Sequence, residues 1–78
     1  MKHERILSAL VDNWINGNRT EAKKQAARFS ALTLAEYLTQ YRDWPTREAW
    51  TVAEYLKGAD NYQAACDATT EATAHFNP

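Results

Sequence analysis

Gly17, Pro45 and Gly58 are the only glycine and proline residues before the last position of this 78-residue chain. The segments between them are rich in alanine, fourteen in all, and alanine has the highest intrinsic helix propensity. Their apolar residues recur at helical spacing. The sequence therefore predicts an all-α fold, a compact single-domain bundle of about five short helices spanning 1–78. A chain of this length has room for one domain.

The first helix is read from Lys2 to Asn16. Ile6, Leu7, Leu10, Val11 and Trp14 share one face, Ile15 lies at its edge, and Arg5, Ser8 and Asp12 lie opposite. Gly17 ends it, because glycine takes the left-handed conformation without steric cost. Asn18 and Glu21 have capping-box spacing for a second helix, Arg19 to Phe29, weakly amphipathic through Ala22, Ala26 and Phe29. Thr33 and Glu36 have the same spacing, with Leu32 and Tyr37 placed as a hydrophobic staple. That third helix is expected to bury Leu34, Tyr37, Leu38 and Tyr41 and to stop before Pro45. A fourth, Thr46 to Lys57, turns Ala49, Val52, Ala53 and Leu56 inward and ends at Gly58. A fifth is capped by Asp60, with Gln63 in the box position, and runs to His75. Its apolar face is expected to carry Tyr62, Cys66, Thr69 and Phe76. One hexapeptide, Thr33 to Leu38, returns as Thr51 to Leu56 with a single change, Leu34 to Val52.

Leucine, isoleucine, valine and phenylalanine total only 12, a level that accompanies disorder when net charge is high. Here the net charge is −1 and nine aromatic residues supply bulk, so a folded chain is expected. So small a core favours self-association, and Trp44 and Trp50 at element edges point to a homodimer or a heteromeric complex. The lone Cys66 excludes an internal disulfide and fits a reducing compartment. No secretory signal and no stretch of about 20 apolar residues is present, which reads as a soluble, cytoplasmic protein.

Catalytic chemistry finds little material. His3, Cys66 and His75 are too far apart in sequence for a metal site, and Glu71 with His75 faces away from Cys66. Cys66, expected on the apolar face, reads as an inert buried thiol, and His3 as a partly buried histidine in the first helix's stripe. Phosphate loops, nucleophile elbows and paired metal-binding histidines are missing from the sequence. The chain is expected to be non-enzymatic, with no cofactor and no metal.

Charge is more informative. Residues 1–42 carry seven Lys and Arg against four acids, and 43–78 carry two against six. Asp60, Asp67 and Glu71 fall close together on the fifth helix, opposite its predicted apolar face, and form a candidate partner-binding stripe. Trp50, off the apolar stripe of its helix, is a candidate anchor. The alternative is a helix-turn-helix over 19–43. Its candidate DNA contacts are Arg19, Lys23, Lys24 and Arg28 for phosphates, with Thr39 and Gln40 for bases. Against it, Ala31 stands where such turns prefer glycine, and Leu34-Ala-Glu-Tyr37 opens the recognition helix without a cation.

In size, helical build, mild acidity and lack of catalytic motifs, the whole chain resembles small accessory proteins of bacteriophages and plasmids, including anti-CRISPR and other anti-defence proteins. That resemblance implies an inhibitor that binds a larger, host-encoded complex in the host cytoplasm. It also implies that Asp60, Asp67 and Glu71 mimic phosphates, with Trp50 as an apolar contact.

Overall fold

The computed structural model describes residues 3–74. Within them the chain forms α1 (Glu4–Ile15), α2 (Arg19–Ala26), α3 (Ala31–Tyr41), α4 (Thr46–Leu56) and α5 (Tyr62–Ala74), with no strand among the described residues. The all-α bundle read from the sequence is the fold observed.

Helix stops follow the sequence closely. Gly17 and Gly58 have φ of 92° and 110°, and each sits at the left-handed position of a Schellman cap. Asn18 N–H reaches the Asn13 carbonyl at 2.8 Å, and Ala59 N–H reaches Glu54 at 3.0 Å. α3 ends differently, on Asp43 in a left-handed conformation (φ 56°). There the Trp44 N–H closes onto the Leu38 carbonyl at 3.0 Å.

Helix starts depart from expectation three times. α3 is capped by Ser30, whose hydroxyl accepts from the Thr33 N–H at 3.1 Å. Thr33 is thus inside the helix and caps nothing, and Leu32 is 55% exposed, so the predicted staple does not form. Asn18 does flank α2 but makes no side-chain cap; its amide donates to Asn13 Oδ1 at 3.3 Å instead. α5 starts after Asn61, whose carbonyl accepts from Ala65 N–H at 2.9 Å. Asp60 lies outside the helix as an exposed residue, and Gln63 donates to Asp67 at 3.1 Å.

α4 lies between α3 and α5, while α1 and α2 pair with each other and lean on that trio. Trp14, Leu7, Leu10, Leu34, Leu38 and Val52 are the largest fully buried side chains. Trp44 is also buried, packed as a plug after α3. It is therefore not an exposed aromatic at an element edge. Phe29, expected to end α2, lies beyond it in the turn and is buried there. In the repeated hexapeptide the same three positions face the core in both copies, Leu34, Ala35 and Leu38 in α3 and Val52, Ala53 and Leu56 in α4.

α2 and α5 have no bulky buried residue. α2 buries Ala22 and Ala26, and α5 buries Ala65, Ala68, Thr69 and Ala72. The face of α5 is therefore rotated from the predicted one. Tyr62 is 48% exposed, and Cys66 stands half-buried at the edge. Phe76 lies outside the described residues. A buried methyl contributes only about 0.8 kcal/mol, so burial alone holds these two helices weakly. Long polar side chains add to it. Asn13 donates to Gln25 at 3.0 Å, and Lys57 reaches the Ala26 carbonyl at 3.3 Å. Arg42 pairs with Asp12 at 2.9 Å, the one ion pair among the described residues. Burial lowers the Arg42 pKa, but hydrogen bonds to Tyr37 and Asp12 outweigh it and the net direction is up.

Candidate interaction surfaces

The acidic face is built by two helices, not one. Asp67 and Glu71 lie one turn apart on α5, exposed, because the alanine face of that helix is turned to α4. Glu48, in the first turn of α4, lines the same groove with Arg47, Thr51 and Ala64, and its volume is about 240 Å³. None of the three carboxylates has an ion-pair partner among the described residues. Sequence reasoning missed Glu48. Its place a quarter turn from the Ala49–Val52–Leu56 stripe marks it as a flank residue, but the side on which α5 docks is a tertiary fact.

The structure does not bring the other predicted contacts to this groove. Asp60 lies in the α4–α5 turn, at the opposite end of the helix pair from Glu48. Trp50 is half-buried against the core, and stands about 160° around α4 from Glu48 at 100° per residue.

The basic residues divide into tied and free. Arg19 is tied: its Nε donates to the Trp14 carbonyl at 2.9 Å, and its guanidinium carbon lies 4.2 Å from the Trp14 ring centroid. Its Nη1 reaches Cys66 Sγ at 2.9 Å and the Tyr62 hydroxyl at 3.4 Å. Lys23 Nζ sits 4.7 Å from the centre of the Tyr55 ring. Tyr55 in turn touches Trp14 and Tyr62, with centroids 5.6 and 5.3 Å away. Lys24 and Arg28 are exposed and line a groove between α1 and α2 with Ile6, Glu21 and Gln25. Thr39 spends its hydroxyl proton on the Ala35 and Glu36 carbonyls, at 3.0 and 3.1 Å, while Gln40 is exposed. α2 packs chiefly on α1 and far less on α3, so residues 19–43 lack the close mutual packing of a helix-turn-helix pair.

Cys66 is neither buried nor surrounded by apolar groups, which corrects the sequence reading. Hydrogen bonding with the Cys66 thiol raises the Tyr62 pKa above its usual value, its charge adds to this, and the Arg19 charge opposes. His3 is exposed and not partly buried as the sequence predicts, with its ring 5.8 Å from that of Phe29 at the edge of the core. Among the described residues no three histidine, cysteine or acidic side chains converge on a metal position; His75 lies outside them. No helix among them is long and apolar enough to cross a membrane. Comparison with protein-family models, with curated proteins and with solved structures finds no match to this chain.

Proposed function

We propose that the chain is a non-enzymatic protein-interaction module that docks through the acidic α4–α5 groove onto a basic surface of a larger protein complex. The observation that carries this reading is the grouping of Glu48, Asp67 and Glu71 along one groove without ion-pair partners among the described residues. Carboxylates so placed repel one another mildly in the free protein, and a basic partner relieves that repulsion while speeding encounter. In its finer form, which the sequence resemblance supplies, the partner is a host defence or nucleic-acid-processing complex in the host cytoplasm. The carboxylates then occupy positions that nucleic-acid phosphates otherwise take.

Affinity capture from a bacterial lysate tests the reading when wild type and the Asp67→Lys/Glu71→Lys double variant are compared. The expected result is a stoichiometric protein complex on the wild type, released by salt and lost in the variant. Retention of nuclease-sensitive nucleic acid by both proteins would replace this reading with the DNA-binding one.

A further inference from the structure

Asn16–Gly17 is the only Asn-Gly pair in the chain, and the fold leaves it open at the α1–α2 turn. We propose that Asn16 is a self-modification site, deamidating without an enzyme by attack of the Gly17 main-chain nitrogen, and that the product loosens the seat of α2 on α1.

The chemistry needs only water. The Gly17 nitrogen gives up its proton to solvent base and attacks Asn16 Cγ. A C–N bond closes a five-membered imide, the Cγ–Nδ2 bond breaks, and the nitrogen leaves as ammonia. Water then adds to one of the two imide carbonyls. Cleavage of the new bond gives aspartate; cleavage of the original peptide bond gives isoaspartate, with the main chain rerouted through the side chain.

Three observations single out this position. Residues 16–18 are all exposed, and no heavy atom other than those of Gly17 and its chain neighbours lies within 4 Å of where a Gly17 Cβ would stand, so the turn is open to base and water once the Gly17 N–H is released. The Gly17 N–H bond to the Trp14 carbonyl is 3.3 Å, the longest in its cap, beside 2.9 Å for Asn16 and 2.8 Å for Asn18. Among the described residues no hydrogen bond holds the Asn16 side-chain amide, whereas those of Asn13, Asn18 and Asn61 donate to Gln25, Asn13 and the Thr51 carbonyl. Ring closure requires Asn16 to rotate from ψ 4° and the Gly17 bond to break. Both belong to a terminal turn, which opens without disturbing the core.

The consequence follows from what shares the turn. Aspartate at position 16 sets a negative charge at the negative end of the α1 dipole. Isoaspartate lengthens the chain inside the ring that the Asn18–Asn13 bond closes. The Trp14 carbonyl that receives Gly17 N–H also receives Arg19 Nε at 2.9 Å, so disruption of the cap reaches a contact that ties the start of α2 to α1.

The test incubates the folded protein at mildly alkaline pH beside a urea-unfolded sample and follows deamidation by intact mass and peptide mapping. The expected result is aspartate and isoaspartate at position 16 in the folded protein, at a rate within about tenfold of the unfolded one, and no conversion at that position in Asn16→Gln. Conversion in urea alone would overturn the site. Asn16→Asp, prepared separately, should unfold at lower denaturant than wild type; an unchanged midpoint would overturn the claimed loosening.

Discussion

The indole N–H of Trp14 donates to the hydroxyl of Thr69 at 2.6 Å, joining α1 to α5 across 55 residues. The threonine proton is already committed to the Ala65 carbonyl at 2.8 Å, so its lone pair faces the indole. Both residues are buried, and α5 otherwise meets the core only through alanine methyls. The bond therefore sets the rotation of α5 as well as its hold. Thr69→Val keeps the shape and strands a buried N–H, at a cost of about 1–3 kcal/mol. Thr69→Ser keeps the acceptor and should lose less. Urea unfolding of the two variants checks the order, and a Thr69→Val protein as stable as wild type would show that the bond adds nothing to the hold of α5.

Asp43 gives a prediction of opposite sign. It occupies the left-handed region after α3, where most residues with a Cβ are strained, and its charge lies beside the negative end of the helix dipole. Asp43→Gly should stabilise the fold by about 0.5 kcal/mol, and Asp43→Asn, which removes only the charge, by less. A rise in denaturation midpoint in that order is expected; a fall on Asp43→Gly would mean that the aspartate makes a contact worth more than the strain.

The parts of this fold legible in the sequence are those decided locally by large side chains. In α1 and α4 the leucines, valines and Trp14 repeat every three or four residues, and Gly17 and Gly58 mark the stops, so both helices and their buried faces are readable. The start of α3 is less so, because Ser30 and Thr33 are both competent caps. The choice depends on whether Leu32 finds the core, and it does not. α5 misleads for a further reason. Tyr62 and Cys66 outweigh alanine in any hydrophobic pattern, but small methyls let α5 approach α4 closely, and the larger groups are left at the rim beside Arg19. The groove of Glu48, Asp67 and Glu71 inherits that difficulty, since pairing Glu48 with α5 depends on which alanines dock.

In the rim cluster, Tyr62 titrates in a defined direction. Tyr62 is held protonated above its ordinary value of 10.0, first by hydrogen bonding with Cys66 and then by its charge, with Arg19 opposing. A phenol with a raised folded-state pKa contributes stability that is complete below its unfolded value and lost as pH rises through the folded one. Replacing Cys66 with alanine removes the two largest raising influences and leaves Arg19, which lowers, as the largest that remains, ahead of burial and Tyr55, which raise. The Tyr62 midpoint should therefore fall in Cys66→Ala, followed by NMR titration of its ring resonances. A midpoint that stays put would show that the thiol does not set it.

The acidic groove yields the prediction most directly tied to function. Asp67 and Glu71 lie inside α5 on its solvent side and cap nothing, so among the described residues changing both to lysine touches only the Gln63–Asp67 contact at 3.1 Å. Surface changes of this kind usually stay within about 0.5 kcal/mol, and circular dichroism should show helicity retained. Adding Glu48→Lys reverses the opposite wall of the groove, while Asp60→Lys alters a charge of the same sign at the far end of the helix pair. Against a captured partner, the groove substitutions should slow association and weaken binding most at low salt, where screening is least. Asp60→Lys should change binding much less. Equal effects from all four positions would reduce the groove to a share of the overall charge, and no effect from any of them, with folding intact, would remove the acidic face from the interaction.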